Sequence, residues 1–294
     1  VIAIISMFRN EESIAPFWAR QVSALSDFSV LIDHRSTDGS ADILKAIPQS
    51  AILKCEAAGH PQAAVMSAAL QESFRLGAQW VIPLDLDEFI PFRTKEELSA
   101  NLDKYSQYSA LKWPWRNLCP AAIDSNFTLG QKFTFRHEHS EHWWKVIVNR
   151  KAFELDPNLT LSQGSHELNL DLDPFPMTRN PLRHIPVRSR VDWFAKIQQG
   201  GLAISEDENL VETGQGWHWT KHSLRTQSNN RKLRQSAWCY PHLRCKRLHS
   251  MPRNEQFDFN YIEPHINPKN SVLPARSGTI KVLGNHASIT WDSC

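Results

Sequence analysis

The segment Trp80-Val81-Ile82-Pro83-Leu84-Asp85-Leu86-Asp87-Glu88-Phe89 runs from apolar residues straight into three carboxylates. Such an apolar run reads as a buried strand, and acids crowded at its end repel one another unless something cationic faces them. The segment therefore predicts a strand whose carboxyl end opens into a cleft. While the backbone stays extended, Asp85 and Asp87 share one face and Glu88 takes the other. Two carboxylates on one face suit Mg²⁺ or Mn²⁺, hard ions that take few protein oxygens and complete their shell with water and substrate phosphate.

What precedes this segment narrows the fold. Val1 to Ile5 is a continuous apolar run, as expected of a parallel strand covered on both faces. It stops at Ser6-Met7-Phe8-Arg9-Asn10-Glu11-Glu12, and from Ser13 to Leu25 apolar residues recur at helical spacing. Phe28 to Ile32 predicts a second strand, ending in the turn-forming run Asp33-His34-Arg35-Ser36-Thr37-Asp38-Gly39-Ser40. A short helix over Ala41 to Ala46, a strand over Ala51 to Lys54 and an Ala-rich helix over Pro61 to Leu76 follow. Strand and helix in alternation predict a parallel α/β sheet, in which ligands sit outside the carboxyl ends of the strands. The polar strand ends at 9–12, 33–38 and 85–88 then converge on one cleft.

Beyond Glu96 the pattern turns antiparallel, with short strands expected at Ala110 to Trp115, Lys132 to Phe135 and Lys145 to Val148. A turn at Gly164-Ser165-His166 and a helix from Val191 to Gln199 come next. From Lys221 to Asn254 there is no Asp or Glu, while Lys and Arg recur. That run is either a solvated face or a surface for an anionic acceptor or lipid headgroups, which would bring residues 221–254 to a membrane surface. From Asp258 onward the chain reads as irregular.

Composition excludes several classes. A net charge of +2 argues against a general nucleic-acid binder. The five cysteines (Cys55, Cys119, Cys239, Cys245, Cys294) never adopt a CxxC spacing, so neither a disulfide framework nor a zinc site is expected. A reducing, cytoplasmic setting fits, at the inner face of a membrane if the basic run is used. No apolar run approaches the roughly 18 residues needed to span a bilayer. Eleven tryptophans, several beside His, Lys or Arg, serve core packing or stack on sugar rings or a base.

A strand followed by Arg9-Asn10-Glu11-Glu12, a second followed by Asp33 and Ser36-Thr37-Asp38-Gly39-Ser40, and a third ending Asp85-Leu86-Asp87-Glu88 together resemble the GT-A fold of family 2-like glycosyltransferases. The resemblance is strongest over residues 1–95. Gly164-Ser165-His166 and Arg183-His184-Ile185-Pro186-Val187-Arg188-Ser189, with Phe194 and Lys196, are similar to a branch whose DxD motif is followed by Glu-Phe. It implies a mixed α/β sheet flanked by helices, with a nucleotide-sugar half (1–100), an acceptor and catalytic half (101–200) and a basic C-terminal extension (201–294). It implies transfer of a sugar, with inversion, from a UDP- or GDP-linked donor to a hydroxyl of a glycan or lipid-linked acceptor, with Mn²⁺ or Mg²⁺ as cofactor.

Carried over residue by residue, the resemblance places the base on Asp33 and the metal on Asp85 and Asp87, with His166 completing the metal site and His184 as second choice. Arg9, Asn10, Glu12, Arg35, Gln62 and Asp85 would line the donor, with Glu88, Arg188 and Lys196 as further candidates. The attacking hydroxyl must lose a proton to a carboxylate or His within reach. The run His137-Glu138-His139-Ser140-Glu141-His142 supplies Glu141 and Glu138 for that role. Two alternatives remain: a non-catalytic module that binds a glycan or anionic lipid through the second half, and a sugar nucleotidyltransferase. The latter would want a Gly-rich basic loop after the first strand, whereas Ser6 to Glu12 has no glycine and two acids.

Overall fold

A computed structural model of the chain describes residues 1–120, 132–137, 143–171, 173–207, 211–212, 214, 217–226, 248–251, 253, 257, 259 and 276–292. The first half alternates as expected: β1 (Ile2–Phe8), α1 (Ala15–Leu25), β2 (Phe28–Asp33), α2 (Ser40–Lys45), β3 (Ser50–Lys54), α3 (Gln62–Arg75) and β4 (Trp80–Pro83). β1 is buried along its whole length between parallel neighbours β2 and β4, and β3 continues the parallel order beyond β2. Alternate residues of β1 serve opposite faces, as strand geometry demands. Ile2, Ile4 and Phe8 pack with Trp18 and Val22 of α1, while Ala3, Ile5 and Met7 pack with Val65, Leu70 and Phe74 of α3.

The second half adds β5 (Glu88–Phe89), α4 (Lys95–Asp103), β6 (Ala110–Pro120), β7 (Phe133–His137), β8 (Trp144–Asn149) and α5 (Arg150–Leu155). β8 joins the parallel part antiparallel to β4, and β6 runs antiparallel to both β8 and β7. β9 (Phe175–Pro176) pairs with β6, and β10 (Leu182–His184) ties β5 to β6. The result is the mixed, helix-flanked α/β sheet anticipated for a GT-A-like chain.

Helix α6 (Arg190–Ser205) starts at Ser189, whose Oγ accepts Asp192 N–H at 3.0 Å, a standard N-cap bond. It runs six residues past the expected end at Gln199, straight through Gly200 and Gly201. The glycines mark a close helix contact here and not a stop. A Cβ on Gly200 would lie 2.9 Å from the ring of Trp219, and one on Gly201 2.8 Å from Ser223 Cβ, both on α7 (Trp217–Thr226).

β11 (Leu248–Ser250) pairs with β7. The tail beyond Asp258, anticipated as irregular, supplies β12 (Arg276–Leu283) and β13 (His286–Trp291). β12 lies parallel to β3 and buries Ile280, covering an edge that would otherwise present unpaired backbone groups. The described strands near the C-terminal end therefore complete the sheet of the first half.

Trp18, Trp113 and Trp193 are fully buried, so these three serve packing, whereas Trp143 is 46% exposed. Cys55 and Cys119 are buried free thiols, and the other three cysteines lie outside the described residues, as does most of 221–254. Among the described residues no helix is long and apolar enough to cross a membrane.

Candidate functional site

The three polar strand ends do meet. Phe8 O accepts from His34 N–H at 2.9 Å, and Asn10 Oδ1 from Thr37 N–H at 2.7 Å, joining the ends of β1 and β2. Lys196 reaches both Glu11 after β1 and Asp87 after β4, at 3.4 and 2.5 Å.

The acidic motif itself departs from the extended reading. β4 stops at Pro83, and the chain turns so that Glu88 N–H donates to Asp85 O at 3.0 Å while Asp85 N–H donates to Glu88 Oε2 at 2.9 Å. A turn abolishes the two-residue alternation, so Asp85 and Asp87 serve different partners instead of one shared face. Asp85 Oδ2 accepts from Lys145 Nζ at 2.7 Å and Oδ1 from Gln62 Nε2 at 3.0 Å. Lys145 is 1% exposed; it also donates to Gly164 O at 2.9 Å and lies 3.3 Å from Glu88 Oε2. Asp87 is 3% exposed, with Lys196 Nζ at 2.5 Å and His184 Nε2 at 3.4 Å. Arg188 pairs with Glu11 at 2.6 Å and so extends this chain of charges.

Ionisation follows from these contacts. Burial alone would raise the Asp87 carboxyl, but Lys196 and His184 outweigh it and hold the group well below the usual carboxylate range. Glu88 goes the other way: burial lifts it well above the usual range, and Lys145 offsets this only in part while Asp85 and Asp87 add to it. Lys145 is then the charged partner of Asp85, its pKa raised by Asp85 and Glu88 against the opposing effect of burial. Burial thus favours the protonated form of Glu88, whose Oε1 is buried with no hydrogen-bond partner among the described residues.

The remaining donor candidates line the neighbouring strand ends. Asp33 Oδ1 accepts Ser36 N–H at 3.0 Å and so caps the turn after β2. Asn10 and Arg35 hold left-handed backbone at φ 53° and 60°, unusual for residues with a side chain. Glu12 N–H donates to Asp38 Oδ2 at 3.1 Å. Gln62 bridges Asp85 and the turn at Gly164, whose N–H it accepts at 2.9 Å. Arg9 gives its carbonyl to Gln199 Nε2 at 2.9 Å, while its guanidinium Nε and Nη1 are buried with no hydrogen-bond partner among the described residues. That guanidinium lies near the end of β2: burial, then Arg9 and Arg35, push the His34 imidazole below its ordinary value, against its hydrogen bond to Ala57 O.

His166 sits apart from the carboxylates. Its Nδ1 donates to Trp144 O at 2.7 Å and its ring packs on Trp115 and Trp143, with no hydrogen bond or ion pair to Asp85 or Asp87. Burial, with Lys145 adding, lowers it to about 4, so it is neutral near pH 7. His184 meets Asp87 and bonds Asn117 through Nδ1. Glu138 and Glu141 lie outside the described residues. Sequence reasoning passed over Lys145 and Gln199 as site residues. Lys145 had a legible signal, a lone charge heading the apolar run Val146-Ile147-Val148, which needs a buried partner.

The residues as arranged do not fit Mn²⁺ or Mg²⁺ on Asp85, Asp87 and His166. Such an ion needs free carboxylate lone pairs and open positions for water and phosphate. Asp85 faces the Lys145 ammonium and Asp87 Oδ2 faces Lys196 and His184, so positive charge already stands where the ion's would go, and among the described residues no three His, Cys, Asp or Glu side chains gather as an ion site.

Fold and site together define a mixed α/β protein with a cluster of buried and half-buried charged side chains at the carboxyl ends of its parallel strands. No protein-family model matches the chain, and no curated protein does. Among solved structures it is similar to S. aureus TarS 1–349, at 13% identity over 77% of this chain and 72% of that one, with a TM-score of 0.42. The same protein in complex with UDP matches at 12% identity over 76% and 70%, TM-score 0.41. A 4-diphosphocytidyl-2C-methyl-D-erythritol synthase from Anaerococcus prevotii matches at 11% identity over 51% and 70%, TM-score 0.29.

Proposed function

We propose that the chain is a glycosyltransferase that moves a sugar, with inversion, from a UDP- or GDP-linked donor to a hydroxyl of a glycan or lipid-linked acceptor. The observation that carries this reading is the Arg9 guanidinium, held at the strand ends with two nitrogens buried and unpartnered. Buried donors without acceptors are costly, and a guanidinium matches phosphate oxygens in geometry and charge. Asp33 stands one strand over to receive the base, with Arg35 beside it. Asp85, 33% exposed, is the acceptor nearest to hand for a ribose or sugar hydroxyl, with Gln62 bracing it. Trp143, 46% exposed and packed on His166, offers an aromatic face suited to a sugar.

In the reaction the bond from the anomeric carbon to the diphosphate oxygen breaks and its electron pair leaves with the diphosphate. The acceptor oxygen bonds to the opposite face of that carbon, and its proton passes to a base, for which Glu141 and Glu138 are proposed. A thermal-shift panel of UDP-, GDP-, CMP- and dTDP-linked sugars tests the reading, because a ligand that binds only the folded state raises its stability. A UDP- or GDP-sugar is expected to raise the melting temperature. If none of the four does so in either EDTA or Mn²⁺, the chain is not a nucleotide-sugar enzyme.

A further inference from the structure

We infer that the donor's diphosphate is held by side-chain cations of the chain itself, with Arg9 as its seat and Lys196 beside it, so that donor binding requires no divalent ion. The inference rests on the proposed donor class and specifies how the cleft recognises it.

The argument is one of occupied places. At one oxygen of each carboxylate, Asp85 Oδ2 and Asp87 Oδ2, a lysine ammonium already stands at 2.7 Å and 2.5 Å, so a divalent ion bridging the two would meet that positive charge at close range. Lys145 cannot step aside cheaply. It is 1% exposed, and leaving Asp85 would also forfeit its bond to Gly164 O and its contact with Glu88, stranding a buried cation. Lys196 is 20% exposed and faces two carboxylates, Asp87 and Glu11. Its side chain is thus less enclosed than that of Lys145, and it is the lysine of the two that can meet a ligand while keeping its carboxylates.

Arg9 completes the set. Its Nε and Nη1 are removed from water and bonded to nothing among the described residues, so the free protein carries an unmet demand for an anion. Helix α6 couples the two cations: Gln199, three residues and nearly one turn beyond Lys196, donates to Arg9 O at 2.9 Å and accepts from Asn10 Nδ2 at 3.3 Å. A diphosphate bound at the ends of β1, β2 and β4 would be offered both cations. The negative charge it brings is then met by groups already in position.

Calorimetric titration of UDP and of GDP into the full chain, in EDTA and separately in Mn²⁺, tests this. For the nucleotide that binds, the inference expects affinities in EDTA and Mn²⁺ to agree within about twofold, well under 1 kcal/mol. Arg9→Gln should weaken binding about tenfold or more in both conditions, as expected for loss of charge-assisted bonds, with an unchanged melting profile as the check on folding. Lys196→Ala should turn the site toward metal, making binding stronger in Mn²⁺ than in EDTA, because Asp87 and Glu11 lose their ammonium. Wild-type binding that is about tenfold stronger in Mn²⁺ overturns the inference and leaves the glycosyltransferase reading standing. Binding of neither nucleotide under either condition removes that reading, and the inference with it.

Discussion

Lys145→Met is the sharpest test of how the acidic motif is held. The substitution keeps an unbranched side chain and removes the ammonium, leaving Asp85 Oδ2 and Gly164 O without their donor and Glu88 Oε2 without its second contact. Breaking a buried ion pair from one side costs about 3–5 kcal/mol. Asp85 is 33% exposed and keeps Gln62 on its other oxygen, so solvent recovers part of that and the low end applies, about 3 kcal/mol. The lost bond to Gly164 O adds about 1 kcal/mol. A total near 4 kcal/mol is a large share of the roughly 5–15 kcal/mol that holds a domain folded. Urea melts of wild type, Lys145→Met, Asp85→Asn and the double variant measure it, with the cycle isolating the pair. A loss under about 1 kcal/mol for Lys145→Met, or a coupling near zero, would refute the view that Lys145 is the cation this motif is built around.

Glu88→Gln should cost little at pH 5, because Glu88 is the neutral member of the cluster. Its folded pKa is raised, so the unfolded chain releases this proton first, and wild type loses stability as pH climbs from about 4.3 toward the folded value, by up to 1.4 kcal/mol per unit. The variant escapes that slope, so urea melts at rising pH should show it gaining on wild type from about pH 4.3 until the folded value is passed. Asp87 is depressed, so its stabilisation is complete above its unfolded value near 3.9 and fades as pH falls through the lower folded value; Asp87→Asn should remove that acid limb from a pH titration of stability. Arg9→Ala should leave the ligand-free protein as stable or about 1 kcal/mol more stable, since two unsatisfied donors go, while abolishing nucleotide-induced thermal shifts. Gly201→Leu should cost about 1–3 kcal/mol by overpacking against Ser223, and the melt should lose the α6–α7 contact without loss of nucleotide binding.

Sequence pattern carried the first half of the fold well because burial there is two-sided. A strand such as Ile2–Phe8 can sit only in the middle of a covered sheet, and the helices between such strands announce themselves by their spacing. It carried the far end poorly. β12 and β13 have one face exposed, and β12 pairs with a strand more than 200 positions earlier, a partnership no local window contains. Gly200-Gly201 misled in a different way, since a glycine pair has the same composition whether it ends a helix or admits a neighbour.

The motif at Asp85 to Glu88 shows where legibility ends within a site. That clustered acids at the end of a buried strand need positive charge is pure electrostatics and was legible from ten residues. Which positive charge answers them was not. Lys145 and Lys196 stand 60 and 109 positions away along the chain, and only the antiparallel return of β8 and the docking of α6 bring them in. The local spacing Asp-x-Asp is equally compatible with an ion and with two ammoniums, because either supplies the positive charge the carboxylates need. The discriminating fact is the turn after Pro83. It sends the two carboxylates to separate partners, where an extended strand would have aimed them at one ion, and a turn of that kind, with no glycine and its proline already behind it, leaves little trace in sequence.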